Sequence, residues 1–423
     1  MSKVSVVTVG CKVNQAESEE LKMGLVEAGY NLCIDPAESD LCVVNTCTVT
    51  AESDRKCRKL IRGLHRRGAR AIVVAGCYVQ VKPGELDQLP GVIEMLPNSR
   101  KIDWLRQIMN LIPATIEGGK PLESQRTRGF IKVQDGCERH CSYCIVPRAR
   151  GKERSRPLDE VIHLVRKYLY LGTHELVLCG INLGRYTWNK GLDLGGLISE
   201  IISISEGFRI RLSSIELEDL NMSWIEEWSG LGRICPHLHL PLQSGDASIL
   251  KDMGRGYSPQ DFIKAVQTLY SVWPQATLTT EVIVGYPGES EEAFRATVKV
   301  LEAVRPSRLH VFRFSPRPGT AAAEKGNMVS AEVKEERSAA LRALGERWRK
   351  EYIQSRLGGT CHIAVEELKE GEKAIAKGTT EDYIKATMTG PPRETRPGWL
   401  LPARLCGIQG DQVRLEPLQE TGG

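Results

Sequence analysis

Long apolar runs are missing from this 423-residue chain, and no stretch approaches the roughly 20 apolar residues that a bilayer-spanning helix needs. The opening Met1-Ser2-Lys3-Val4-Ser5-Val6-Val7 leads directly into a strand pattern, without the charged start and apolar core of a secretion signal. The expectation is a cytosolic protein with no membrane partner. An excess of one charge is also missing: 57 Lys and Arg stand against 53 Asp and Glu, a net charge of +4. Any affinity for nucleic acid must therefore come from local patches and not from the overall balance. The composition is otherwise ordinary for a globular protein, and the length allows two or three domains, each burying its own core.

Cysteine, by contrast, is plentiful. Thirteen of them in a reducing compartment read as metal ligands and small buried hydrophobes, not as a disulfide framework. Cys137, Cys141 and Cys144 place three thiolate candidates within one short loop, Gln134 to Pro147. Three sulfurs so close in sequence can wrap one face of a cubane cluster, whereas a structural zinc site needs a fourth ligand to close its tetrahedron. His140 is the only local candidate for that place, and it sits beside Cys141, where its backbone is already committed. A three-cysteine cluster leaves one iron open, and an open coordination position is where a metal site does chemistry.

This Cys-x3-Cys-x-aromatic-Cys spacing resembles the radical S-adenosylmethionine enzymes. The resemblance implies that the methionine moiety of the cofactor chelates the open iron of a [4Fe–4S] cluster. It also implies that Tyr143 packs near the adenine, and that reductive cleavage releases a 5′-deoxyadenosyl radical.

Ahead of that loop, three short apolar runs, Val4 to Val9, Leu41 to Val44 and Ala71 to Ala75, each look like a buried parallel strand. Each is followed by a cysteine: Cys11 after Gly10, Cys47 after Asn45 and Thr46, and Cys77 after Gly76. In an open parallel sheet the carboxyl ends of the strands share one edge, where ligands bind. The spacing therefore predicts that three distant thiols meet, with Gly10 and Gly76 letting the backbone turn sharply beside a bulky inorganic group. Cys33, Cys42 and Cys57 lack this placement and read as structural.

The segments Gly10-Cys11-Lys12-Val13-Asn14-Gln15, Asn45-Thr46-Cys47-Thr48-Val49-Thr50, Arg55-Lys56 and Ala75-Gly76-Cys77 resemble the amino-terminal domain of the methylthiotransferases, a radical S-adenosylmethionine family. The likeness spans essentially the whole chain. It implies an auxiliary [4Fe–4S] cluster on Cys11, Cys47 and Cys77, and therefore two clusters in all.

Beyond the cysteine loop, candidate strands recur at Glu175 to Asn182, Arg209 to Glu216, His237 to Gln243, Thr277 to Val284 and Arg308 to Phe314. Helix-length segments such as Leu158 to Leu171 separate them. With Phe130 to Gln134 they make six units, enough for a partial version of the eight-stranded barrel, open at one side. Taken singly, the polar or glycine-rich groups that end these runs are strand-to-helix turns; their shared placement favours cofactor contacts. The resemblance places Gly180, Asn182, Glu216, Gln243 and Ser244, with Tyr143, against the cofactor, and the run His239 to Gly245 is its strongest match here. Glu281 stands where the family most often has Asp.

Alternation over Cys361 to Glu366, Ile384 to Thr389, Leu400 to Ile408 and Gln412 to Leu415 predicts a small antiparallel β-barrel. It resembles the RNA-binding module that ends many tRNA-modifying enzymes, although residues 358–423 hold eight Lys or Arg against ten Asp or Glu. The fold class expected is α/β: an amino-terminal open parallel sheet (1–112), a central partial (β/α)6 radical barrel (123–355) and a carboxyl-terminal β-barrel (356–420). Positive charge is concentrated elsewhere, in a run from Arg55 to Arg70 and in Arg148, Arg150, Lys152, Arg154 and Arg156. Most charge runs are solvated faces, yet two basic runs, each after a cysteine segment, suggest a bound polyanion. The expected RNA contacts are Arg58, Arg62, Arg66, Arg148 and Arg150.

The runs Gly10 to Gln15, Asp54-Arg55-Lys56 and Val133 to Cys144 most resemble the methylthiotransferases that act on C2 of N6-threonylcarbamoyladenosine at position 37 of tRNA. The enzymes acting on isopentenyladenosine or on a ribosomal-protein aspartate remain alternatives within the family. The resemblance implies two S-adenosylmethionine per turnover and a low-potential electron donor such as flavodoxin or ferredoxin. A cluster-bearing RNA-binding regulator is the rival from another class; the glycine-rich strand ends argue against it, because a sensor needs no cofactor pocket.

Overall fold

The computed structural model describes residues 2–112, 127–369, 374–410 and 412–418. The start of the expected central segment at 123 and the end of the last at 420 lie outside the described residues. The chain forms two compact units: 1–125 with 134–154 and 315–324, and 126–133 with 155–314 and 325–423.

The first unit is built on five parallel strands in the order β2-β1-β3-β4-β5. These are β1 Lys3–Thr8, β2 Asn31–Leu32, β3 Leu41–Thr46, β4 Ile72–Gly76 and β5 Val92–Pro97. Every residue of β3 and β4 is buried, as a strand covered on both faces must be. Alternation sends Cys42 and Val44 to a core shared with Cys57, Ile61 and Leu64 of α2 (Ala51–Arg66). Leu41 and Val43 go to the opposite core, with Leu21 and Leu25 of α1 (Lys12–Glu27) and the later Trp104 and Ile108. Cys42 and Cys57 are thus packing residues, and burial pushes both thiols up to about 11. Cys33 departs from its expected role: it lies half-buried in the loop after β2, its thiol donating to the Asp35 carbonyl.

The remainder of this unit contains α3 (Cys77–Val81), α4 (Trp104–Leu111), β7 (Gln134–Asp135), α5 (Val146–Arg150) and the first residue of β8 (Arg154–Ser155).

The second unit carries six parallel strands: β6 Arg128–Lys132, β9 Glu175–Cys179, β10 Arg209–Leu212, β11 His237–His239, β12 Thr277–Val284 and β13 Arg308–Arg313. Two three-stranded sheets are joined by single parallel bridges, Ile210 with Ile234 and Ser214 with His239, so the six run in chain order. The intervening helices are α6 (Leu158–Tyr170), α7 (Leu194–Ile202), α8 (Met222–Leu231), α9 (Ala247–Asp252), α10 (Pro259–Val272) and α11 (Glu291–Val304). This is the partial barrel that six strand-helix repeats imply.

A 26-residue helix, α12 (Ala331–Arg356), leads to a closed five-stranded barrel: β14 Thr360–Lys369, β15 Ile375–Thr380, β16 Lys385–Thr389, β17 Leu400–Gln409 and β18 Gln412–Pro417. Alternation alone missed β15, and the barrel is not wholly antiparallel, because β16 and β18 pair in parallel. Its attachment is polar. Glu175, fully buried, takes Arg211 Nε at 2.7 Å on one oxygen and Arg209 Nε at 2.7 Å on the other. The two guanidinium groups then donate to the carbonyls of Thr380 (2.9 Å), Glu381 (2.8 Å) and His362 (3.0 Å). Glu175 and Arg209 open their strands, so the small barrel is held at the amino-terminal edge of the half-barrel, opposite the edge where strand-end groups gather.

Candidate functional site

Register explains how three distant thiols come together. Thr8 pairs with Asn45, and Thr46 with Gly76, so β1, β3 and β4 end side by side. Cys11 then caps α1, Cys47 follows β3, and Cys77 opens α3. Cys11 is exposed, while Cys47 and Cys77 are buried. Burial, reinforced by its neighbours Cys11 and Cys77, pushes the Cys47 thiol up to about 12. Such a thiol is protonated at neutral pH and becomes a ligand only by losing its proton to a metal.

The glycines of this edge play a part different from the one expected of them. A Cβ on Gly76 (φ +102°) would fall 2.6 Å from Asn45 Oδ1, and one on Gly10 would fall 2.7 Å from Asn14 Oδ1. They make room for two buried amides: Asn14 Nδ2 donates to Asn45 Oδ1 at 2.9 Å, and Asn45 Nδ2 to Asn14 O at 3.0 Å. Asn14 also accepts the Cys11 thiol at 3.1 Å.

Within the same unit, the loop bearing Cys137, Cys141 and Cys144 is half-buried. Cys137 N–H donates to Gly151 O at 3.1 Å and Cys144 N–H to Cys141 O at 3.0 Å. Gly136 (φ +75°) is indispensable to that turn, since a Cβ there would lie 1.9 Å from the Lys152 carbonyl oxygen. Ser142 accepts the Ala322 N–H at 2.8 Å through its carbonyl, His140 is exposed, and burial raises the Cys137 thiol. Among the described residues no three His, Cys, Asp or Glu converge tightly enough for a single metal ion. Two sets of three thiols, each able to leave one iron of a cluster open, are a donor set whose chemistry suits two clusters.

The basic runs separate into unlike residues. Arg150 is only 4% exposed; Nη1 donates to Glu17 and to Asp135 at 2.9 Å each, and Nη2 reaches Asn14 at 3.3 Å. Lys101 completes the group with Glu17 (2.5 Å) and Asp135 (3.2 Å). Arg150 is therefore not the RNA contact expected of it, because its charge is buried and balanced inside the protein. Arg58 is also engaged, by Tyr78 and by Glu85 at 2.7 Å, which weakens its case as a phosphate contact. Arg62 and Arg66 are exposed and, with Lys59 and Pro90, line a shallow depression beside α2. Arg148 is exposed, with one N–H on the Pro318 carbonyl at 2.5 Å.

In the second unit the carboxyl ends of the strands gather the expected cofactor residues other than Tyr143. Gly180 N–H meets Ser213 Oγ at 3.3 Å, and Asn182 is buried at the start of a short turn. Ser244 is buried, its hydroxyl accepting the Asp246 N–H at 3.2 Å. Gln243 sits in the left-handed region (φ +64°), which costs a non-glycine residue roughly 1–3 kcal/mol and clusters at functional sites. Its Nε2 donates to Glu281 at 2.9 Å, which fixes the amide and leaves Oε1 buried with no partner. That stranded acceptor suits the ammonium or a hydroxyl of a bound cofactor.

Two features of this edge escaped sequence reasoning. Glu216 is ion-paired with the buried Arg255, and Glu281 faces His239 Nε2 at 3.5 Å, whose Nδ1 meets Thr279 Oγ1 at 2.9 Å. Although burial alone would raise Glu281, the bonds to His239 and Gln243 hold it below the ordinary carboxylate range. The placement of Glu281 in the pleat could have signalled the second feature, since Thr279 and Glu281 share a strand face. Nothing local signals Arg255.

A parallel half-barrel with a three-cysteine loop after its first strand defines the class. The Radical SAM superfamily profile matches residues 131–301, and that of Uncharacterized protein family UPF0004 matches residues 3–97. The fold is shared with the radical S-adenosylmethionine methyltransferase TsrM from Kitasatospora setae, at TM-score 0.57 and 15% identity over 76% of this chain and 75% of that one. A protein of Thermotoga maritima named threonylcarbamoyladenosine tRNA methylthiotransferase is 35% identical over 402 residues, 92% of each chain. One of Methylacidiphilum infernorum named tRNA-2-methylthio-N(6)-dimethylallyladenosine synthase is 30% identical over 446 residues, 99% of this chain and 95% of that one. The chain belongs to the methylthiotransferase family of radical S-adenosylmethionine enzymes. It is an enzyme, and its family's cofactors are S-adenosylmethionine and [4Fe–4S] clusters.

Proposed function

We propose that the enzyme methylthiolates C2 of N6-threonylcarbamoyladenosine at position 37 of tRNA. The observation that carries the reading is the meeting of Cys11, Cys47 and Cys77 at one sheet edge, an arrangement a sensor with a single cluster would not need. Likeness to the Thermotoga maritima protein over 92% of each chain supports the substrate choice.

In this reading Cys137, Cys141 and Cys144 hold the radical cluster, and Cys11, Cys47 and Cys77 hold the auxiliary one. Tyr143, Gly180, Asn182, Glu216, Gln243 and Ser244 hold S-adenosylmethionine. When bound, these groups supply one-electron cofactor cleavage and the methylthio group, because an aryl C–H is too weakly acidic for ordinary base catalysis. The protein's own task is placement: Glu281 orients the Gln243 amide, Arg255 holds Glu216, and the Asn14–Asn45 pair pins the strand ends. Arg62, Arg66 and Lys59 offer phosphate contacts. Arg148 serves the threonyl carboxylate, which an isopentenyl group lacks, as a bidentate partner would.

Residues 1–112, 123–355 and 356–420 divide these tasks into cluster-bearing, radical and RNA-binding segments. A flavodoxin or ferredoxin delivers the electron in the cytosol. The deciding experiment offers the anaerobically reconstituted enzyme tRNA bearing either N6-threonylcarbamoyladenosine or isopentenyladenosine, followed by nucleoside mass spectrometry. Product from the first alone is expected; equal product from both would defeat the substrate choice.

A further inference from the structure

The strand-end thiols have a neighbour to which no motif draws attention. Asn98 follows β5 and is 5% exposed. Its Nδ2 lies 2.8 Å from the Ala149 carbonyl and 3.3 Å from Cys77 Sγ. A carbonyl oxygen can only accept, so the Ala149 contact fixes the orientation of the amide and makes Nδ2 the donor to sulfur. Its Oδ1 is buried and unpartnered, an arrangement that a packing asparagine would pay for without return.

Arg150, Lys101 and Arg154 meet Glu17 and Asp135 in a charged group close by. To that field Asn98 adds a neutral N–H aimed directly at Cys77 Sγ.

We propose that Asn98 is a positioning residue of the auxiliary cluster, donating an N–H···S hydrogen bond to the Cys77 thiolate and raising the cluster's reduction potential. Hydrogen bonds to cluster sulfurs stabilise the reduced, more negative state. The same amide is tied to Ala149, five residues after Cys144 on α5, so the segment following the radical loop sets its aim. The inference rests on the assignment of Cys11, Cys47 and Cys77 as cluster ligands.

The test uses the full chain with Cys137, Cys141 and Cys144 replaced by Ala, so that the auxiliary cluster is the one assembled. It is titrated with dithionite at poised potentials and read by EPR. Asn98→Leu, which keeps nearly the same shape and loses the donor without adding a charge, and Asn98→Ala are each expected to lower the one-electron equilibrium constant about tenfold, about 59 mV. A cluster with an unmoved potential in an assembled variant overturns the role of Asn98. No cluster in the parent overturns the ligand assignment itself, a distinct result. Should neither variant assemble, the parent is grown with 15N-asparagine, and pulsed EPR of its reduced cluster must show 15N coupling; its absence overturns the proposal.

Discussion

Cys137, Cys141 and Cys144 lie within one short, half-buried loop, whereas Cys11, Cys47 and Cys77 are scattered along the first domain and meet because β1, β3 and β4 are neighbours in a sheet. The first set needs only a short loop to close. The second needs a folded sheet, because closing loops of some 30 residues around a cluster carries an entropy that the unfolded chain cannot offset. A loop site is thus readable from spacing. A strand-end site is rigid, and it depends on buried supports such as Asn14, Asn45 and Arg150.

The largest effects separate the two sets directly. Replacing Cys137, Cys141 and Cys144 by Ala is expected to abolish 5′-deoxyadenosine formation and remove about half of the bound iron, a ratio set by two clusters of equal iron content. Full iron retention after reconstitution would sink the two-cluster reading. Replacing Cys11, Cys47 and Cys77 should leave cofactor cleavage detectable by chromatography while methylthiolated nucleoside disappears; loss of both activities would show that the sets are not independent.

The supports offer a smaller test. Arg150→Met leaves Glu17 and Asp135 short of a buried partner, and removing one member of a buried pair costs about 3–5 kcal/mol. Arg154, whose side chain is more than half exposed, pairs with the same Asp135, and Arg154→Met should cost less than about 1 kcal/mol. Urea unfolding measures both, and equal losses would contradict the burial argument.

In the second unit, burial alone would raise Glu175, but Arg211 and Arg209 hold its carboxyl well below the usual range. A depressed folded-state pKa contributes stability above the unfolded value, near 4.3, and that stability drains as pH falls below it. Glu175→Gln should therefore be less stable at pH 7 and show a shallower decline in acid than the parent. An identical acid limb in thermal unfolding would argue against this role.

The smallest effect concerns RNA. Arg62→Gln with Arg66→Gln should weaken tRNA binding and flatten its log–log salt dependence by somewhat less than one unit for each lost phosphate contact. Arg58→Gln should change the slope less, because Glu85 already balances that charge. An unchanged slope in the double variant would return α2 to a solvated face.

The three-cysteine loop and the alternation of strands with helices were legible in the sequence because both are local signals: three thiols within one short loop, and apolar runs of strand length. The partial barrel followed from the count of repeats. The basic run after the loop misled, since sequence carries charge but not burial, and adjacent arginines there diverge into an exposed Arg148 and a buried Arg150. Strand β15 was missed because Ile375–Thr380 lacks clean alternation, with Gly378 in its middle.

By itself the sequence determined which residues could be ligands, the repeat that builds the half-barrel, and the family. Only tertiary structure decided which cysteines meet, which arginines are removed from solvent, that Asn98 points at Cys77, and that the small barrel is held at the amino-terminal strand edge. The reason is physical. Covalent spacing constrains partners a few residues apart, whereas partners tens of residues apart are chosen by strand order, register and the need to pair every buried charge.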